Sequence, residues 1–246
     1  MTRESVSIRT TDGECPASVF TPAEGGRHPA VIFFMDGLGI RPKLFEMGQR
    51  LADHGYIVLL PDLFYRAGSY EPLDPKTVFA SGDVRSALAH LFSSTDNRRA
   101  AGDTEAFLDY LNSREDVAGT RVGTTGYCMG GAISLTAAGT YPDRVAAAAS
   151  FHGGNLASES ELSPHLLAPR MTARVYVAGA AEDSSYPPEM ADRLEQALTD
   201  AGVEHRCEIY QGALHGWTMA DFPVYNHAAA ERHWEELTGL FSGTLT

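Results

Sequence analysis

A chain of 246 residues with 43% hydrophobic content is long enough to bury a sizeable core and fits one larger α/β domain better than two small ones. Its 19 basic and 32 acidic residues leave a net charge of -13, which repels a phosphate backbone at long range and excludes nucleic acid as an expected partner. Three cysteines, Cys15, Cys128 and Cys207, are too few and too scattered for a disulfide framework. With no apolar secretory core near Met1, this points to the cytoplasm.

In chain order, the first 21 residues alternate, with Val6, Ile8 and Val19 around a Thr11-Asp12-Gly13 turn, and predict an antiparallel hairpin. Val31 to Met35 is a continuous apolar run, as expected of a strand covered on both faces; a helix over 42–54, closed by Gly55, and a second such strand from Ile57 to Leu60 follow. Residues 66–76 are Pro-rich and polar and predict a loop, and Phe107, Leu108 and Leu111 mark a helix over roughly 103–112. Val122 to Pro142 carries no charge over 21 residues. Its Gly and Thr content makes it a poor membrane span and a good buried strand, turn and helix, so no membrane association is expected.

Strands are predicted again at Val145 to Ala149, Val175 to Ala178 and Glu208 to Tyr210. Between them lie a loop over 153–170 and a helix over 187–201 with Met190, Leu194 and Leu198 on one stripe. A last helix over 228–241 has Asn226 as its cap. This alternation implies an α/β fold with a doubly wound, mostly parallel sheet and helices on both faces. In such a sheet, functional residues gather just past the carboxyl ends of strands.

Val122 to Tyr127 runs as a strand into Gly126-Tyr127-Cys128-Met129-Gly130-Gly131, and a helical stretch begins at Ala132. A sharp strand-to-helix turn needs small residues two places either side of its apex, and Gly126 and Gly130 meet that need. The apex is Cys128, whose thiol then lies at a helix N-terminus that favours thiolate. Cys15 and Cys207 sit in strand-like runs without flanking glycines and read as structural.

A nucleophile on such an elbow requires a base and an orienting acid on loops after later strands, in that chain order. The loop after Val175 to Ala178 supplies Asp183, with Glu182 beside it as an alternative; the loop after Glu208 to Tyr210 supplies His215. His152 also follows a strand and is read either as pocket lining or as packing. Trp217, Met219, Phe222 and Tyr225 are read in the same two ways, as an apolar rim beside His215 or as loop core. The remaining histidines have no zinc-ligand spacing, so neither metal nor cofactor is expected.

The Cys128 elbow, the Asp183 loop and Leu214-His215-Gly216-Trp217 together resemble the dienelactone hydrolase family, as do Val31 to Ile40 and Leu60-Pro61-Asp62-Leu63-Phe64. The resemblance covers most of the chain. It implies the α/β-hydrolase fold, a catalytic triad of Cys128, His215 and Asp183, and an oxyanion hole from the Gly37 and Met129 amides. It also places Asp36 where the family has a glutamate that governs the thiol's ionisation. Here the acid is one methylene shorter, and a structural turn carboxylate is the competing reading. The family holds a substrate carboxylate with arginines, one of them four residues after the histidine, where this chain has Met219. Arg41, Arg66 and Arg85 are the candidates to substitute for it.

The expected function is hydrolysis of a small-molecule carboxylic ester or lactone through a thioester acyl-enzyme. A broad carboxylesterase or thioesterase without lactone preference, and a non-catalytic binding protein on the same fold, are the alternatives. Nothing in the sequence bears on oligomeric state.

Overall fold

The computed structural model describes residues 2–245. The N-terminal hairpin pairs β1 (Thr2–Thr10) with β2 (Gly13–Thr21) along its whole length, as the alternation predicts. β3 (His28–Phe34), α1 (Pro42–Asp53) and β4 (Ile57–Pro61) follow, close to their expected bounds.

Beyond β4 the chain makes three short helices that sequence patterning did not suggest, α2 (Pro75–Ala80), α3 (Val84–Ala87) and α4 (Ala89–Phe92). They are too short to show an apolar stripe. Local chemistry starts two of them: Asp74 accepts from the Lys76 and Thr77 amides, and Asp83 from that of Ser86. α5 (Asn97–Ser113) starts well before the expected 103, because Asp96 caps it by accepting from the Arg99 amide at 2.8 Å. Its polar opening, Asn97-Arg98-Arg99, conceals Ala100, Ala101 and Thr104, which are buried.

The second half alternates strand and helix except between its second and third strands. β5 (Val117–Tyr127) leads into α6 (Met129–Thr140), β6 (Val145–Phe151), β7 (Arg174–Glu182), α7 (Pro188–Asp200), β8 (His205–Leu214) and α8 (His227–Ser242). A 3-10 segment, Pro164–Arg170, lies within the stretch expected as loop between β6 and β7.

One eight-stranded sheet results, in the order β1-β2-β4-β3-β5-β6-β7-β8, with β4 through β8 all parallel. Helices cover both faces, and β5 is buried on both from Val122 onward. A side chain at Gly123 would strike Phe241 of α8, whereas Thr124, pointing the other way, bonds Ser134 of α6 at 2.8 Å. The strand order reverses between β3 and β5, since β3 connects outward to β4 while β5 connects the other way to β6. Ligands of open α/β sheets bind at such a reversal, at the carboxyl ends of the strands. Among the described residues no helix is long and apolar enough to cross a membrane.

Candidate active site

Five strands end in residues that the sequence singled out. Asp36 and Gly37 lie just past β3, Cys128 directly after β5, His152 after β6, Asp183 after β7 and His215 after β8. The parallel registers bring these ends together: Tyr127 is paired with Phe151, and Glu182 with Leu214, so the next residue of each strand emerges on the same rim.

Cys128 has φ 56° and ψ -117°, a conformation that costs a residue with a Cβ about 1–3 kcal/mol. The turn is tight enough that a Cβ on Gly126 would lie 1.8 Å from the Gly130 carbonyl oxygen, and one on Gly130 would lie 2.4 Å from the Phe34 carbonyl oxygen. Only glycine fits either place. The Cys128 amide is anchored to the Phe151 carbonyl at 3.1 Å and its own carbonyl accepts from Gly131, which fixes the sulfur at the start of α6.

His215 Nδ1 donates to Asp183 Oδ2 at 2.6 Å. The other carboxylate oxygen accepts from the Ser185 hydroxyl at 2.6 Å and from the Ser185 amide at 2.9 Å. Ser185, which sequence reasoning passed over, thus holds the acid from behind; the Asx turn of Asp183-Ser184-Ser185 was the signal for it. Glu182 is exposed and paired in β7, which leaves Asp183 as the acid on the imidazole.

Burial disfavours a charge on His215, but the Cys128 sulfur, through its charge and as a hydrogen-bond partner, and the Asp183 carboxylate together push its pKa up to about 10. Burial likewise opposes a charge on Asp183, whose carboxyl is nonetheless held below the ordinary range by the bonds from His215 and Ser185. Burial pushes Cys207 up to about 12 and Cys15 further still, so both are inert at neutral pH.

Asp36 does not face the sulfur as a free acid. It is 1% exposed, both of its oxygens accept from the Arg41 guanidinium at 2.8 Å, and Oδ1 also accepts from the Leu38 amide. The turn-carboxylate reading accounts for every one of these contacts. Gly37 follows it with the Phe92 ring against its Cα, and among the described residues neither the Gly37 nor the Met129 N–H donates to a protein acceptor.

The pocket reading of His152, Trp217 and Met219 needs correction. All three are 0% exposed and belong to the packed interior. His152 meets the His215 ring edge-on at 5.2 Å and bonds Thr218 at 2.7 Å, while Trp217 stacks on Tyr210 at 5.2 Å. Burial among these rings, with His215 and His233 adding like charge, keeps His152 neutral. Arg41 is taken up by Asp36 and Asp221, and Arg66 by Asp12 and Asp103. Neither has a free guanidinium for a substrate carboxylate; the Arg85 side chain lies outside the described residues. Among the described residues no group of His, Cys, Asp or Glu is placed to hold a metal.

A parallel sheet with this strand order, carrying a residue of positive φ on an elbow between β5 and α6, defines the α/β-hydrolase class of fold. The dienelactone hydrolase family model matches residues 15–245, and the chain belongs to that family and is a hydrolase. It is 30% identical to the carboxymethylenebutenolidase of Pseudomonas putida over 173 residues, which is 70% of each protein. It is 28% identical over 229 residues to a Synechocystis protein provisionally given the same name, covering 91% of this chain and 89% of that one. In fold it is similar to a solved Klebsiella pneumoniae structure provisionally named a dienelactone hydrolase, with TM-score 0.84, 23% identity and 98% of each chain covered.

Proposed function

We propose that the chain hydrolyses a carboxylic ester or lactone with Cys128 as nucleophile, His215 as base and acid, and Asp183 as the group that orients the imidazole. The observation that carries this reading is the His215 imidazole bonded to Asp183 at 2.6 Å, on the same rim of the sheet as the sulfur held at the strained elbow.

Asp183 fixes the tautomer. With the Nδ1 proton donated to the carboxylate, Nε2 is left to exchange a proton with sulfur or substrate. The thiolate attacks the carbonyl carbon, forming a C–S bond, and the charge that develops on oxygen is received by the Gly37 and Met129 amides. Collapse breaks the C–O bond, and the leaving alkoxide takes the Nε2 proton. Water then attacks the thioester and gives a proton back to His215 as the C–S bond breaks, which restores the thiolate.

Arg41 and Arg66 are both neutralised within the protein, and the position four residues after the histidine is a buried methionine. These facts favour a substrate recognised without a carboxylate, and so a broad carboxylesterase over a hydrolase restricted to carboxylated lactones. The test is turnover of aryl esters and lactones, each with and without a free carboxylate, alongside mass spectrometry of the quenched enzyme. An acyl adduct on Cys128, with turnover lost in step with alkylation of that one thiol, is expected. Undiminished turnover by Cys128→Ala ends the proposal.

A further inference from the structure

Arg41 precedes α1 and lies in the chain's interior at 2% exposure, and among the described residues its side-chain hydrogen bonds go to Asp36, Gly39 and Asp221 rather than to Cys128 or His215. Its guanidinium makes five hydrogen bonds, all to groups of two turns at the site's edge. Toward β3, Nη1 and Nη2 donate to the two oxygens of Asp36 at 2.8 Å each, and Nη1 also reaches the Gly39 carbonyl at 3.3 Å. Toward β8, Nε donates to Asp221 Oδ2 at 2.7 Å and Nη2 to Asp221 Oδ1 at 3.4 Å.

Each anchor is coupled to a reacting element. Asp36 accepts from the Leu38 amide at 2.8 Å and its carbonyl from the Gly39 amide at 3.2 Å, so its carboxylate sets the turn on which Gly37 lies. Asp221 adjoins Phe222, whose ring lies 5.0 Å from the guanidinium carbon and so close to Gly216 that a Cβ there would meet it at 2.8 Å. Gly216 follows His215 directly. A planar fork of fixed geometry therefore spans the gap between the Gly37 turn and the His215 loop, a task for which lysine, with one nitrogen, has the charge but not the shape.

We propose that Arg41 is a positioning residue, which holds the Gly37 amide in register with the histidine loop through Asp36 on one side and Asp221 on the other. The inference rests on the hydrolytic reading above. Its consequence falls on acyl transfer and spares the nucleophile, because the clamp governs where the oxyanion donor lies and leaves the bond between Asp183 and His215 alone.

Two reactions of one sulfur separate these effects. Ester cleavage of p-nitrophenyl acetate needs an oxyanion donor, whereas displacement of iodide from iodoacetamide by Cys128 does not. In the full chain, Asp221→Ala and Arg41→Lys are expected to lower kcat about tenfold or more, with KM changed by no more than about threefold, since a reacting group displaced by an ångström costs up to about a hundredfold. The alkylation rate stays within about twofold of the unmodified chain, and Asp221→Glu recovers most of the lost kcat. Asp221→Ala keeps the buried pair of Arg41 and Asp36 and removes a side chain that is 24% exposed, so it carries the test even where Arg41→Lys does not fold. Unaltered kcat in Asp221→Ala overturns the clamp, as does alkylation that falls in parallel with kcat. Absence of turnover in the unmodified chain instead sinks the hydrolytic reading on which the clamp depends.

Discussion

Asp183 and His215 are bonded at 2.6 Å although 32 residues separate them, because β7 and β8 stay paired up to the residues just before them, Glu182 opposite Leu214. The sheet therefore aligns the pair before any side chain is chosen. Ser185 then fills the carboxylate's other oxygen, so the acid has one remaining direction in which to accept, and the imidazole lies along it.

Asp183→Asn tests that alignment. The amide keeps the shape but presents an N–H or a weaker acceptor to Nδ1, so the wrong tautomer becomes available and kcat for an aryl ester is expected to fall about a thousandfold or more. Ser185 can still bond the side chain, but the ion pair that helps raise the His215 pKa is lost, so stability at neutral pH should fall modestly. A loss in kcat below about tenfold would show that the carboxylate does not fix the imidazole.

Protonation gives a second check. The ordinary imidazole value of 6.5 is raised to about 10 in the folded chain, against the effect of burial, first by Cys128 and then by Asp183. A base whose pKa is raised by folding adds stability that is complete below the unfolded value, 6.5, and is lost as pH climbs through about 10. Acylation, which needs the Nε2 proton for the leaving alkoxide, should decline over the same alkaline limb. In Cys128→Ala the largest favourable contribution is gone, and NMR titration of the His215 ring should give a value well below 10. A ring that still titrates near 10 in that variant rules out the ion pair with sulfur.

The sheet was legible in the sequence because most of its covered strands are short apolar runs, and the candidate residues lie past the ends of strands marked in this way. Cys128, with glycines two places to either side, was more legible still, since those glycines answer to a backbone collision. What patterning missed was set by contacts distant in sequence. Nothing near Arg41 announces that Asp221, 180 positions on, is its partner, and so it stood with Arg66 and Arg85 as a candidate to replace the family's arginine. Trp217 and Met219 read equally as rim or core because a loop of large apolar residues has no periodicity to say which side faces water. α2, α3 and α4 were hidden for the opposite reason, being helices too short for any period to emerge.

Gly126→Ala is the sharpest test of the elbow. The new methyl would lie 1.8 Å from the carbonyl oxygen of Gly130 and 2.8 Å from the amide nitrogen of Gly131, both backbone atoms of the helix that begins at the nucleophile. No rotamer relieves such a collision. The variant is expected to lose about 3 kcal/mol or more in urea unfolding, and whatever remains folded should show slowed alkylation of Cys128. Gly102→Ala, where a Cβ has open space within 4 Å, is the matched control and should be neutral or slightly stabilising.

Met219→Arg asks whether the family's carboxylate contact can simply be restored. The position is 0% exposed, and its amide donates to the Gly216 carbonyl at 3.0 Å while its own carbonyl accepts from Phe222, so the backbone there is held on both sides. A guanidinium placed in this loop either stays buried without a partner, at a cost of about 3–5 kcal/mol, or draws Asp221 away from Arg41 and loosens the Gly37 turn. Both routes lower turnover of neutral aryl esters, and neither opens a path to a substrate carboxylate. The expected outcome is a drop in denaturant midpoint together with no gain in kcat/KM for a carboxylated ester over its neutral analogue. A stable variant that prefers the carboxylated ester would instead mean that the loop carries Met219 at the pocket wall in solution, and that this hydrolase differs from carboxylate-binding members of its family by one side chain.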